Sequence, residues 1–344
     1  MTMTNRELSS VNTAAKRLNG LDILKAICAF LVVCIHAPFP GEFGQYVIAA
    51  ARIAVPIFIM ITGYFYTPES APRRIKKLLI LLLTSSGIYL IWHSLIAAVK
   101  GELLAYLSET FTLKNILRFL LLNENHIQSH LWYLGAVLYV LIIVTLLLKI
   151  SPKYAKKILF IITPILLICD LVFGKYSLLL LHREFSYVLL RNWLFVGLPF
   201  FCIGMWIKDH DIKLQKVIGS KALLIFMALF TLTSFAERFF LVSMDMNAKR
   251  DQYISTTLLA VTCFLFFLGY SSEKGNRLAK LGREASTWIY ILHPMVIYVL
   301  DSAVRRLGIT NIYGYVAPIA VFIITAIITM IINAIKKKLI TKRN

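Results

Sequence analysis

The chain has 344 residues, of which 59% are apolar and only 16% charged, with a mean hydropathy of +0.75. Soluble domains carry roughly 25% charged residues, so water is not the main solvent of this chain and a pair of soluble domains is excluded. A net charge of +20 suits nucleic acid, yet the 37 Lys and Arg residues punctuate apolar runs instead of lining one face, so no nucleic-acid partner is expected.

In chain order, residues 1–18 read as a polar cytoplasmic tail. The first apolar segment is interrupted by Asp22 and Lys25 and lacks a small-x-small cleavage site, so it reads as a retained span. Ten segments are long enough to cross about 30 Å of hydrocarbon at about 1.5 Å per residue. They are 20–38, 44–66, 78–99, 131–149, 158–174, 190–207, 222–243, 253–272, 286–302 and 314–335. The stretch 103–121 is amphipathic and fits a surface-lying segment. Residues 336–344 read as a basic cytoplasmic tail. Cys28, Cys34, Cys169, Cys202 and Cys263 fall in apolar segments without CxxC spacing, so they read as packing residues, and no metal site is expected. The expected architecture is all-α: one polytopic transmembrane helical bundle over residues 1–344, without internal repeats.

Lys and Arg in short loops stay on the cytoplasmic side. Clusters such as Arg73, Arg74, Lys76 and Lys77, or Lys149, Lys153, Lys156 and Lys157, fall on alternate loops, which predicts ten crossings with both termini inside.

Ionisable groups at membrane depth cost roughly 2.5–3.5 kcal/mol each on insertion scales, so each needs a partner or a task. Helical spacing puts Asp22, Lys25 and His36 on one face of the first span, with Lys25 near the inner end and His36 near the outer end. Asp22 and Lys25 stand at i,i+3, a spacing that allows mutual neutralisation. Arg52, His293 and the Glu237–Arg238 pair lie six to nine residues inward from the predicted outer ends of their spans. These groups can converge on an outer-half cavity where a His acts as general base and an Arg stabilises an anion. Glu237 and Arg238 equally suit a local charge pair, and Trp132 an interfacial aromatic anchor.

The order of motifs resembles the acyltransferase-3 family of integral membrane O-acyltransferases. Lys25 and His36 match the basic residue, ten-residue gap and His of that family's first helix. Arg52 with Val55-Pro56-Ile57-Phe58-Ile59-Met60-Ile61-Thr62-Gly63-Tyr64-Phe65 is similar to its second helix, His130-Leu131-Trp132-Tyr133-Leu134 to a later block, and Tyr290-Ile291-Leu292-His293-Pro294 to its penultimate helix. The chain looks closest to the shorter branch, which includes enterobacterial common antigen O-acetyltransferases and the membrane half of vancomycin-resistance serine racemases.

The resemblance implies acyl transfer from cytoplasmic acetyl-CoA, or another acyl-CoA, to a hydroxyl of a glycan or lipid-linked glycan at a bacterial inner membrane. His36, Arg52 and His293 would be catalytic. Lys25 and the run Arg73, Arg74, Lys76 and Lys77 would bind the donor, with Lys replacing Arg at the second position of an RxxR-like feature. Asp22, Trp132, Glu237 and Arg238 would support them. The expected partners are membrane lipid and the glycan or lipid-linked glycan acceptor. The rival reading is a transporter of a small polar solute such as an amino acid. Intramembrane charges suit that role too, but no paired broken-helix pattern is visible in the sequence.

Overall fold

A backbone in hydrocarbon must satisfy its N–H and C=O groups within its own segment, so long apolar runs become helices. The computed structural model describes residues 5–270 and 276–341, and their regular structure is helical throughout. In order these are α1 (Asn5–His36), α2 (Gly41–Ala51), α3 (Ala54–Tyr64), α4 (Ala71–Val99), α5 (Leu103–Thr110), α6 (Leu113–Leu122), α7 (Trp132–Ile150), α8 (Pro152–Asp170), α9 (Ser177–Leu181) and α10 (Tyr187–Leu190). They continue with α11 (Leu198–Val217), α12 (Ser220–Ser243), α13 (Ile254–Gly269), α14 (Arg277–Leu307) and α15 (Thr310–Thr341).

Among the described residues, nine helical stretches are long and apolar enough to cross a membrane, and the 16-residue α13 occupies the eighth expected span. The protein is an all-α, polytopic integral membrane protein. Several ends differ from expectation. Helix α1 starts at Asn5, within the expected tail, and α15 carries Lys336, Lys337 and Lys338 in its last turns. Residues 1–4 of the expected N-terminal tail, the end of the 253–272 span, Lys274, and Lys342 and Arg343 of the expected basic tail lie outside the described residues. The amphipathic 103–121 stretch is α5 and α6, too short to cross, and α6 leaves Leu113, Leu117, Leu120 and Leu121 exposed.

Two membrane stretches are broken. Between α2 and α3 the chain turns at Arg52 and Ile53, because Pro56 supplies no N–H for the Arg52 carbonyl and its ring crowds that carbonyl. Between α10 and α11 the chain bends at Arg191 and Asn192 and passes through a π-type turn at Trp193–Gly197. Each break interrupts the apolar pattern for only one or two residues, Arg52 in the first and Arg191 with Asn192 in the second, so hydropathy alone does not reveal them.

The Cα framework divides into two compact units. The first comprises Met1–Phe58, Ile212–Ser243 and Tyr253–Asn344. Within it α1 packs most extensively on α14, and also on α13, α2 and α15. Its core is built from small or branched side chains, Ala29, Val33, Ala285, Ile289 and Val321, which let helix backbones approach closely. Closest is Gly282 of α14, where an added Cβ would lie 1.8 Å from the Asp22 carbonyl oxygen of α1.

The second unit comprises Ile59–Asp211 and Met244–Gln252. Gly63 and Gly204 meet reciprocally there: a Cβ on either would lie 2.0 or 2.1 Å from the backbone oxygen of Phe201 or Met60. Asn123 ends α6 in the left-handed region (φ 54°), where its short polar side chain is tolerated. Its Nδ2 donates to the Trp132 carbonyl (3.0 Å) and its Oδ1 accepts from the Trp193 N–H (2.7 Å). The Trp193 indole N–H and the Tyr139 hydroxyl donate to Leu121 and Phe119 carbonyls, so the end of α6 is tied to the helices beside it. Lys175 holds the 244–252 segment through Asn247 and the Ala248 carbonyl, while Tyr187 and Arg191 bind Asp251.

Candidate active site

All the sequence-predicted site residues except the Arg73–Lys77 run and Trp132 belong to the first unit. At the predicted inner end of α1, Asp22 is buried and serves two cations. Lys25 Nζ lies 2.8 Å from one carboxylate oxygen and Arg283 of α14 lies 3.1 Å from the other. The i,i+3 pair is therefore real, and a second helix joins it. Gly282 permits this: without a side chain it brings α14 against the α1 backbone one residue before Arg283.

At the other end of α1, His36 meets α14 again. Its ring centroid stands 5.0 Å from that of His293, with the rings inclined by 46°. His36 is exposed, whereas His293 is fully buried. His293 Nδ1 lies 3.0 Å from the Ile289 carbonyl. A carbonyl only accepts, so Nδ1 carries a proton, which in a neutral ring leaves the lone pair at Nε2. Pro294 removes a backbone donor from α14 beside this ring.

The remaining polar groups gather on α2, α12 and α13. Arg238 of α12 is buried, reaches Glu42 of α2 at 2.9 Å, and lays its guanidinium over the Tyr46 ring, 4.6 Å from the centroid. Glu237 accepts from the backbone N–H of Ser255 (3.1 Å) and from its hydroxyl, capping the start of α13. Tyr253, just before α13, lies within electrostatic reach of Arg52, Arg238 and Glu237. Arg52 itself sits at the break between α2 and α3, half-buried, with its side chain in the middle of a membrane stretch.

Residues 18–336 match the family described as an acyltransferase domain. The chain belongs to the acyltransferase-3 family. Among curated proteins it is 28% identical over 319 residues to an amino-acid racemase of Enterococcus faecalis, covering 85% of this chain and 43% of that protein. It is 26% identical over 304 residues to a serine/alanine racemase of Enterococcus gallinarum, covering 81% of this chain and 40% of that protein. The chain thus spans less than half the length of these relatives. No solved structure matches it. Membership supports a membrane acyltransferase in general terms.

In the second unit the basic run opens α4: Arg73, Lys76 and Lys77 are exposed and Arg74 is half-buried. Cations are disfavoured in the first turn of a helix, where the macrodipole is already positive, unless an anion offsets both. Positive-inside anchoring accounts for the same residues. Trp132 is buried at the start of α7 with the Arg191 guanidinium stacked on it at 4.5 Å, so it is a packing partner as well as an interfacial aromatic.

Sequence reading missed Arg283, Glu42, Tyr46, Tyr253 and Ser255. Arg283 lies just before an expected span, and Glu42 opens α2 shortly after the end of α1. Arg283 and Glu42 lie next to expected spans and Tyr46, Tyr253 and Ser255 within them, but only helix packing shows which of them meet.

Proposed function

We propose that this domain transfers an acyl group, most simply acetyl, from cytoplasmic acyl-CoA to a hydroxyl of a glycan or lipid-linked glycan at a bacterial inner membrane. The observation that carries the reading is the imidazole pair: an exposed His36 backed by a buried His293 whose tautomer is set by Ile289. His36 takes the acceptor hydroxyl proton as the oxygen attacks the thioester carbon. The C–O bond forms, the C–S bond breaks, and the departing thiolate takes the proton from the imidazolium. His293, whose ring packs against that of His36, orients it. Arg52 stabilises the developing oxyanion from its place at the helix break. Arg73, Arg74, Lys76 and Lys77 hold the phosphates of CoA; Lys supplies charge there without the bidentate fork. Asp22, Lys25 and Arg283 keep α1 and α14 in register, with Lys25 at the donor side.

A second reading, passage of a small polar solute, is favoured by one structural feature. Two membrane stretches are broken, and broken helices line the substrate sites of many transporters. The relatives named as racemases make an amino acid the solute to test first.

The deciding experiment supplies radiolabelled acetyl-CoA to purified protein with a bacterial membrane glycan fraction. The expected result is label on the acceptor, reduced about 10²–10⁴-fold in His36→Ala and strongly reduced in His293→Ala. Undiminished transfer in His36→Ala, or amino-acid uptake into liposomes with no label transfer, would overturn the acyltransferase reading.

A further inference from the structure

We propose that Arg238 is a receptor for a carboxylate or phosphate group of the acceptor, and that Glu42 is an internal stand-in for that anion in the ligand-free protein. The identification of the ligand as the acceptor rests on the acyl-transfer reading; the anion site itself does not.

The argument begins with an asymmetry. The Arg238 side chain is 8% exposed and that of Glu42 is 72% exposed, although the two are 2.9 Å apart. Arg191 and Asp251 stand at 22% and 17%, Lys156 and Asp209 at 38% and 34%, and Arg118 and Glu124 at 35% and 25%; the Arg283–Asp22 pair is also uneven, at 53% and 9%, but there the carboxylate is the buried partner and Lys25 shares it. Burying a charge is costly and is offset when the partner is buried with it. In the Glu42–Arg238 pair the cation is withdrawn from solvent permanently, while the carboxylate can return to solvent with little loss. Another anion can therefore replace it.

The guanidinium is also held ready. It lies on the face of Tyr46, which is itself packed edge-on against Phe235 at 5.5 Å. Glu42 and Tyr46 are one turn apart on α2, and Phe235 and Arg238 one turn apart on α12, so two helices frame the group from both sides. A planar fork stacked on an aromatic ring keeps its remaining donors in one plane, which suits bidentate recognition of a carboxylate or phosphate. Tyr253 lies within electrostatic range of both Arg238 and Arg52. Glu42 stands in the first turn of α2, six residues after His36 in the chain, at the end of the span predicted to face outward.

The test measures binding to the purified full-length protein without any acyl-CoA. D-glucuronate probes the carboxylate arm, glucose 6-phosphate the phosphate arm, and D-glucose is the neutral control. If Glu42 occupies Arg238 about two-thirds of the time, Glu42→Gln raises anion affinity roughly threefold by removing the competitor. Arg238→Gln should abolish the anion dependence, and Arg238→Lys should leave it weakened. A response to glucuronate alone assigns a carboxylated ligand, and a response to glucose 6-phosphate alone assigns a phosphorylated one. A purely structural strut gives the opposite sign: Glu42→Gln lowers the melting temperature and anion affinity does not rise. That result overturns the proposal, as does the absence of anion binding in both wild type and Glu42→Gln. Because no turnover is involved, loss of the acyl-transfer reading through His36→Ala leaves this outcome independently readable.

Discussion

Replacing Gly282 with Ala should separate α1 from α14 and impair both ends of their contact. The added Cβ would lie 1.8 Å from the Asp22 carbonyl oxygen and 2.9 Å from the Ala26 nitrogen. Ordinary contact starts near 3.4 Å, so the helices must part by about 1.6 Å at that point. The obstructing atoms are helix backbone inside a packed core and cannot rotate aside. Overpacking of this kind costs about 1–3 kcal/mol. His36 and His293 stand on the same two helices, so the strain is transmitted to the ring pair; a misplacement of about 1 Å lowers catalysis on the order of 10²-fold. Gly87 of α4 is the control, since nothing lies within 4 Å of its Cβ position. Gly87→Ala should be neutral or stabilise by about 0.4–1 kcal/mol. Thermal unfolding in detergent, followed by tryptophan fluorescence, and the radiolabel assay would be run on both variants. A Gly282→Ala protein that melts at or above the wild type and transfers label at an undiminished rate would refute the close-approach argument.

Three further outcomes follow from the packing. Asn123→Ala removes two buried hydrogen bonds and a residue suited to positive φ, so it should cost about 2–4 kcal/mol, and Asn123→Gly should fall between it and wild type; unfolding curves in which Ala matches wild type would contradict this. Asp22→Asn leaves Lys25 and Arg283 without their carboxylate; because both cations are partly exposed, a loss of about 1–2 kcal/mol is expected. A double-mutant cycle with Arg283→Gln should show coupling of at least about 0.5 kcal/mol, and simple additivity would argue against the cross-helix bridge. Helix α6 exposes an apolar face flanked by Lys114 and Arg118, so a tryptophan at Leu117 should be quenched more by lipids brominated near the headgroup than by those brominated near the chain ends. The reverse depth profile would place α6 deeper than an interfacial helix.

The membrane class, the helical architecture and the approximate position of every span were legible in the sequence. A segment that must satisfy its own backbone in hydrocarbon becomes a helix, and a crossing helix needs about 20 apolar residues. The i,i+3 pairing of Asp22 with Lys25 was legible for the same local reason. Helix spacing likewise assigned a shared face to Asp22 and His36 but could not name what covers it. Only packing revealed that α14 meets both ends of α1, because Gly282 matters through its missing side chain and carries no hydropathy signal of its own. The break at Arg52 also escaped: a single charged residue does not end an apolar run, and the cause is a backbone donor that Pro56 lacks. The Glu42–Arg238 pair joins residues far apart in the chain, and its lopsided exposure exists only once α2 and α12 lie side by side. Local chemistry thus determined what crosses the membrane, while helix contacts between distant segments decided which polar groups face one another.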